Sequence, residues 1–207
     1  MRHRNTILIA TMMAAAVLSQ PASATIVASA TTPLNIRSGP GPQYSVIGAI
    51  PDNGQATVTG CIEASLWCQV SYNGTQGWAY SQYLDTIVSG RTLAVRERVR
   101  ELPVLTYSVP PATVGAVTTL PAPRIVGEFV APAGAPISLA PPPTVRTYVT
   151  ANPVQPVYLN GEVVEGVGLP DTVVLTPVPD YEYQYAYVNG VPVLVEPQTR
   201  RVTYIYR

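Results

Sequence analysis

The residue types that carry most catalytic chemistry are nearly absent from this chain. Its one histidine is His3, next to the N-terminus, and it contains no lysine. His3 lies in a segment that, as described below, is predicted to be removed as a signal peptide. Without histidine and lysine the remaining chain cannot form Ser-His-Asp or Cys-His nucleophiles, Schiff-base lysines or histidine-ligated zinc. We therefore expect no enzyme activity, no cofactor and no metal site.

Paired carboxylates, which act as acid and base in glycosidases, are the remaining catalytic option. Two pairs are close in sequence, Glu162 with Glu165 and Asp180 with Glu182. Both lie in short segments rich in valine or tyrosine and bounded by turn residues, which is typical of strands in a small module. Catalysis by these pairs is the least favoured interpretation.

The N-terminal residues have the three parts of a secretory signal peptide. Arg2, His3 and Arg4 precede the apolar run 7–18, and Ala22-Ser23-Ala24 is a small-x-small cleavage site, with cleavage after Ala30 as an alternative. The apolar run is too short for a comfortable membrane span, and no later stretch has eighteen consecutive apolar residues. We predict a periplasmic or secreted protein, cleaved near Ala24, with no membrane span.

Export determines how the two cysteines are interpreted, because an oxidising compartment favours disulfides. Cys61 and Cys68 are separated by only six residues, and we predict a disulfide with Cα atoms about 5.5 Å apart. In the chain-entropy description this short loop contributes about 2.5 kcal/mol to stability. The mature chain has ten arginines against twelve acidic residues, which does not favour a nucleic-acid partner.

The stretch from Thr32 to Leu84 has the two-residue apolar period of strands. Leu34 and Ile36 face one way, and Asn35 and Arg37 face the other. Residues 38–45 contain Gly39-Pro40-Gly41-Pro42 and are predicted to form a loop, because proline cannot donate to a sheet ladder. Asn73-Gly74 predicts a type I′ hairpin turn.

Several blocks of this stretch stand in a characteristic order. They are Leu34-Asn35-Ile36-Arg37-Ser38-Gly39-Pro40-Gly41, Tyr44-Ser45-Val46-Ile47-Gly48, Trp67-Cys68-Gln69-Val70-Ser71-Tyr72-Asn73-Gly74 and Gly77-Trp78-Ala79-Tyr80-Ser81-Gln82-Tyr83-Leu84. The stretch resembles a bacterial SH3 domain (SH3b). The resemblance implies a small β-barrel that binds cell-envelope peptides or glycopeptides without chemistry. Such domains are often fused to a cysteine peptidase or amidase, but these enzymes need histidine.

We hypothesise that ligands bind the barrel face formed by the first loop and the closing turn. Aromatic side chains there offer contact area, and an arginine can clamp a carboxylate. The candidate residues are Arg37, Tyr44, Trp67, Trp78, Tyr80 and Tyr83. Alternatively, Trp78 is part of the barrel core and Trp67 covers the disulfide.

Residues 102–156 contain twelve prolines and few charges. Proline at this density favours polyproline II, which predicts a semi-rigid spacer. The valine and leucine content of 113–139 leaves open short strands that dock on a folded part.

The last sixty residues return to a strand pattern, with the hairpin dipeptides Asn160-Gly161 and Asn189-Gly190. A two-residue turn at Asn189-Gly190 predicts the pairs Val188–Val191, Ala186–Val193 and Tyr185–Leu194. A second turn at 197–200 predicts the pairs Glu196–Arg201, Val195–Val202 and Val193–Tyr204. The resulting sheet is apolar on both faces and must pack on its own chain or on another copy as a homo-oligomer.

Other segments of this region, including Gly168-Leu169-Pro170-Asp171-Thr172-Val173-Val174-Leu175 and Tyr185-Ala186-Tyr187-Val188-Asn189-Gly190, are similar to domain-of-unknown-function family 1236. That resemblance implies no catalytic residues.

We thus expect an all-β protein with an SH3-like barrel and a small antiparallel C-terminal module. The expected divisions are a signal peptide (1–24), an SH3b domain (25–86), a Pro-rich linker (87–144) and a C-terminal β module (145–207). The favoured function is a non-catalytic exported adaptor that contacts peptidoglycan or an envelope protein or peptide. The alternative is a structural or assembly protein of the envelope that uses both β modules for protein contacts.

Overall fold

The computed structural model describes residues 25–108, 124–131 and 140–207. The predicted signal peptide, with its cleavage site at Ala22-Ser23-Ala24, lies outside the described residues, as do 109–123 and 132–139 of the expected linker. Within the described part of the chain the structure is mostly strand with one short helix. The all-β fold class is confirmed.

The N-terminal half forms a mainly antiparallel sheet whose alternating apolar residues, such as Leu34 and Ile36, are buried. Its neighbours follow the order β3-β2-β6-β5-β4-β1-β7-β8. The strands are β1 (Ile26–Ala30), β2 (Leu34–Arg37), β3 (Val46–Ile50), β4 (Gln55–Ile62), β5 (Trp67–Tyr72), β6 (Thr75–Tyr80), β7 (Leu84–Val88) and β8 (Arg91–Ala94). Three short 3₁₀ helices, Ser81–Tyr83, Val95–Glu97 and Val99–Glu101, complete this half.

The predicted turn between β5 and β6 is confirmed. Asn73 and Gly74 both have positive φ, at 46° and 82°, as the type I′ hairpin requires. Residues 38–45 form the predicted loop between β2 and β3. Strand β1 pairs with both β4 and β7, so it is an interior strand of the sheet.

Cys61 and Cys68 form the predicted disulfide. They are direct cross-strand partners in β4 and β5, and their Cα atoms are 3.9 Å apart, closer than the expected value. The N–H of Cys61 donates to the carbonyl of Pro103 at 3.0 Å and therefore does not bond to Cys68. Non-hydrogen-bonded pairs approach more closely than hydrogen-bonded ones, which accounts for the short separation.

The segment 87–144 is partly folded, which differs from the expected extended spacer. Strand β8 pairs with β7, and β9 (Val104–Leu105) runs parallel to β4 beside the disulfide. Strand β10 (Ile125–Glu128) pairs in parallel with β11 (Tyr158–Asn160), which agrees with the alternative of short docked strands within 113–139. The backbone groups of these short strands form hydrogen bonds with folded strands, and this pairing outweighs the proline content around them.

A four-stranded antiparallel sheet forms the C-terminal half. Its strands are β12 (Thr176–Pro177), β13 (Gln184–Val188), β14 (Val191–Glu196) and β15 (Arg201–Ile205), in that order. The predicted β13–β14 pairs are all confirmed, and Asn189 and Gly190 have φ of 52° and 77°. By contrast, Asn160-Gly161 does not form a hairpin, because β11 pairs in parallel with β10.

One predicted pair in this sheet is wrong. The pairs Glu196–Arg201 and Val195–Val202 are as expected, but Val193 lies opposite Ile205 and Leu194 lies opposite Tyr204. A register irregularity between Leu194 and Val195 inserts the extra residue. A bulge exchanges the faces of the residues beyond it. Ile205 therefore joins the face of Val193, Val195 and Val202, called here the valine face. Tyr204 joins the face of Tyr185, Tyr187 and Leu194, called here the tyrosine face.

A helix covers the tyrosine face of this sheet, where only strands were expected. Helix α1 (Pro143–Ala151) begins with a proline. Proline has no N–H donor, but the N–H groups in the first turn of a helix have no acceptor within the helix, so none is lost. Val145 and Val149, one turn apart, are its buried residues and pack with Tyr185, Leu194 and Tyr206. The sheet is therefore covered by its own chain and does not need a homo-oligomer to bury this face.

The valine face of the same sheet packs toward the barrel. Buried apolar residues of both halves belong to one contiguous cluster, from Leu34, Ile36 and Val70 in the barrel to Leu159, Val163 and Val193 in the C-terminal half. Sharing one core, the two halves bury surface that each would otherwise expose to water.

Candidate functional site

Arg37 ends strand β2 at the base of the 38–45 loop and is almost completely buried, with 1% exposure. Its Nη1 donates to the carbonyls of Pro42 and Tyr44, at 3.0 and 2.7 Å. These bonds tie the loop back onto the strand that precedes it. Arginine suits this place because its rigid guanidinium can satisfy several carbonyls at once.

The other edge of the guanidinium pairs with Glu162 of the C-terminal half. Nη2 donates to Glu162 Oε1 at 2.7 Å, and Nε donates to Glu162 Oε2. Glu162 has no exposed surface. The arrangement is a buried bidentate ion pair, the strong form of the arginine–carboxylate interaction.

Two asparagines complete this buried polar centre. Asn35 Nδ2 donates to Glu162 Oε1 at 3.2 Å, and Arg37 Nη1 also donates to the carbonyl of Asn189 at 2.9 Å. The Asn189 side chain bonds the Leu159 N–H and the Gly161 carbonyl, at 2.8 and 3.0 Å. Arg207 donates to Asn35 Oδ1 and to the Pro33 carbonyl, at 2.9 and 2.8 Å.

Arg37 was expected on an accessible surface where it could clamp a ligand carboxylate, and that expectation needs correction. In this structure its carboxylate partner is Glu162 of the same chain. Sequence analysis considered Glu162 only as one of a catalytic pair. The position of this glutamate directly after Asn160-Gly161 was the one local sign that it is unusual. Its partner Arg37 is 125 residues away in the sequence, so no short-range pattern could have predicted the pair.

The five aromatic candidates and one further residue, Tyr107, form two small groups. In the first group, the ring of Tyr107, which follows β9, meets Tyr44 and Trp78 edge to face, both at 5.6 Å between centroids. Trp78 is buried, as the alternative interpretation expected, while Tyr44 and Tyr107 are half-exposed. Burial is the main cause that raises the pKa of Tyr44, and the neighbouring Tyr107 raises it further. Sequence analysis missed Tyr107, which lies within the expected linker.

The second group joins Trp67, Tyr80 and Tyr83. Trp67 is buried and meets Tyr80 edge to face at 5.4 Å, and Tyr80 lies 6.2 Å from Tyr83. Burial raises the pKa of Tyr83 to about 12, with smaller contributions from Tyr80 and Glu162. Burial raises the pKa of Tyr80, and the charge of Glu128 raises it further. A Cβ atom added at Gly161 would lie 3.4 Å from the Tyr80 ring, so this group lies beside the C-terminal half.

The carboxylate pairs considered for catalysis do not form an acid–base pair in a cleft. Glu162 is fully buried against Arg37, and Asp180 and Glu182 are both exposed. Among the described residues, no cluster of three or more His, Cys, Asp or Glu side chains could hold a metal ion. In the same residues, no helix is long and apolar enough to cross a membrane.

The antiparallel sheet of short strands, its loop at 38–45 and the tight turn at Asn73-Gly74 fit the SH3-like barrel that the sequence predicts. Residues 32–85 match the family model of the bacterial SH3 domain. Residues 148–207 match that of a domain of unknown function, DUF1236. Both resemblances inferred from the sequence are thereby confirmed.

A search of curated proteins found similarity to "Putative N-acetylmuramoyl-L-alanine amidase YrvJ" of Bacillus subtilis (strain 168). The two are 39% identical over 68 residues, which is 33% of this chain and 13% of that protein. The chain thus spans about an eighth of the length of the relative. No solved structure matches this chain significantly.

Proposed function

We propose that this protein is a non-catalytic exported binding protein whose SH3b domain contacts peptidoglycan or an envelope protein. The half-exposed rings of Tyr44 and Tyr107, which lie against the buried Trp78 beside the 38–45 loop, carry this proposal. Rings of this kind combine a large contact area with polar edges, which suits sugars and peptides. The similarity to a protein named as an N-acetylmuramoyl-L-alanine amidase supports peptidoglycan as the first ligand to test.

Export and the position of signal-peptide cleavage are part of the proposal, and one observation supports each. The Cys61–Cys68 disulfide is typical of oxidising compartments. Strand β1 supports cleavage near Ala24 rather than after Ala30, because Ile26–Ala30 pairs with two other strands and cleavage after Ala30 would remove it.

Retention on purified peptidoglycan sacculi tests this function. We expect saturable retention of the mature protein, and the double variant Tyr44→Ala/Tyr107→Ala to bind at least about tenfold more weakly, since interface aromatics commonly contribute more than 1 kcal/mol each. Tyr183→Ala is the matched control, because Tyr183 is also half-buried against another tyrosine but lies in the C-terminal half. Thermal unfolding confirms that each variant is folded.

Retention that persists in the folded double variant would exclude this surface. Absence of any saturable retention of the wild type would favour the second candidate, a structural or assembly protein. A specific observation supports that candidate, because the Arg37 site on the barrel is already occupied by a protein carboxylate, Glu162.

The proposed absence of catalysis has its own test. The mature protein is expected to release no dye from labelled sacculi. Release that disappears in Glu165→Gln or Asp180→Asn, while both variants remain folded, would identify a carboxylate-dependent hydrolase instead.

A further inference from the structure

We propose that the SH3b barrel contains a carboxylate-binding site built by Arg37 and Asn35, and that the DUF1236 segment is its ligand within the same chain, supplying Glu162. This assigns a role to the DUF1236 segment, which is to dock on an SH3b barrel. The proposal does not depend on the proposed function, because it concerns a contact inside the protein rather than an external partner.

The barrel side of the site is held by the barrel itself. The bonds from Arg37 Nη1 to the Pro42 and Tyr44 carbonyls fix the guanidinium plane. This leaves Nε and Nη2, the edge that matches a carboxylate in bidentate geometry. Asn35, two residues earlier and on the same side of β2, directs its Nδ2 at the same carboxylate oxygen.

The DUF1236 side presents the carboxylate from a fixed loop. Gly161 has φ of +99°, a conformation that favours glycine, and places Glu162 directly after strand β11. Asn189 holds this loop through its bonds to Leu159 and Gly161. The N–H of Val163 donates to Glu162 Oε1 at 3.0 Å, so the carboxylate is oriented from both sides.

Burial explains why the two halves need each other. Arg37 and Glu162 are both almost fully removed from water, and an unpaired buried charge is strongly unfavourable. Without Glu162, the Nε and Nη2 donors of Arg37 lose their acceptors. A small external carboxylate of the right shape should then be able to take the vacated place.

Chemical rescue of Glu162→Ala tests this site. The substitution removes the atoms of one acetate ion from the side chain, and we expect it to lower the melting temperature by about 10 °C. At equal ionic strength, 0.2 M sodium acetate should raise the melting temperature of this variant by about 3 °C more than sodium chloride does. If Glu162→Ala does not fold in chloride, the same two salts are compared by refolding yield.

Three variants make the test specific. Glu165→Ala, which removes a carboxylate three residues away, is expected to gain nothing from acetate over chloride. Glu162→Gln leaves no space for acetate and should also gain nothing. Arg37→Ala/Glu162→Ala lacks the binding guanidinium and should lose the acetate effect. An equal acetate effect in all variants, or none in Glu162→Ala, would overturn the proposal.

Discussion

Arg37 and Glu162 lie 125 residues apart in the sequence, and their buried ion pair joins the N-terminal half to the C-terminal half. Its value for stability does not follow from its burial alone. Desolvation of both charges offsets much of their attraction, whereas removal of one partner leaves the other buried and unpaired. We therefore expect the pair to act more by specifying which surfaces meet than by adding net stability.

A double-mutant cycle on Arg37 and Glu162 measures this coupling. We expect Arg37→Ala and Glu162→Ala each to lower the free energy of unfolding by about 3–5 kcal/mol. The double variant should lose at least about 1 kcal/mol less than the sum of the two, because neither charge is then left alone. Urea unfolding followed by tryptophan fluorescence provides the values.

Asp171→Ala is the control for that cycle. Asp171 pairs with Arg200 at 3.3 Å but is 97% exposed, so we expect a loss below about 1 kcal/mol. Additive effects of Arg37→Ala and Glu162→Ala would contradict a direct interaction between them.

Tyr83 gives a prediction for alkaline pH. Its pKa is raised to about 12 in the folded protein by burial, against about 10 in the unfolded chain. The stability that the neutral phenol confers is complete below pH 10 and is lost as the pH rises toward 12. Tyr83→Phe should therefore resist unfolding at pH 11 better than the wild type, relative to their stabilities at pH 8. Equal alkaline sensitivity of the two proteins would contradict the raised pKa.

At the scale of elements, helix α1 covers a sheet face that would otherwise be open to water. Val149 has no exposed surface and packs with Tyr185 and Leu194 across the sheet. We expect Val149→Ala to lower the free energy of unfolding by about 2 kcal/mol, from lost burial and the cavity left behind.

Thr147→Ala is the matched control on the same helix. Thr147 is exposed, and its hydroxyl bonds only the Pro143 carbonyl of its own helix. A change within about 0.5 kcal/mol is therefore expected. A loss at Thr147 as large as that at Val149 would mean that the helix does not pack through its valine face.

The elements that sequence analysis predicted correctly are those with a local cause. Asn73-Gly74 and Asn189-Gly190 need positive φ at both positions, so their turns and the strand pairs beside them follow from short-range sequence. The short distance between Cys61 and Cys68 likewise made the disulfide predictable. Residues such as Leu34 and Ile36 reveal their buried face by alternation.

The elements that were missed depend on distant parts of the chain. Helix α1 begins at the last of three consecutive prolines. The Val145–Val149 spacing shows which face of the helix is buried only once the sheet that it covers is known. Strand β10 needs β11 as a parallel partner, and parallel pairing has no turn signal. The Arg37–Glu162 pair joins two segments whose own patterns are independent.

At the scale of the whole molecule, the two segments that match separate families share a hydrophobic core. The buried cluster runs from the barrel strands into Leu159, Val163 and the valine face of the C-terminal sheet. The polar centre of Arg37, Asn35, Glu162 and Asn189 lies at the same junction. We therefore expect both halves to unfold in one cooperative transition.

Hydrogen exchange measured by mass spectrometry tests this cooperativity most directly. Peptides that cover β5 (Trp67–Tyr72) report on the barrel, and peptides that cover β14 (Val191–Glu196) report on the C-terminal sheet. If the halves form one unit, the slowest amides of both strands exchange through the same global opening and have equal free energies of protection.

Glu162→Ala makes that measurement decisive, since the substitution lies in the C-terminal half only. A single unit predicts that the protection of β5 and β14 falls by the same amount, within about 0.5 kcal/mol. Protection that falls in β14 while β5 keeps its wild-type value would contradict the single folded unit, and with it the docking role of the DUF1236 segment.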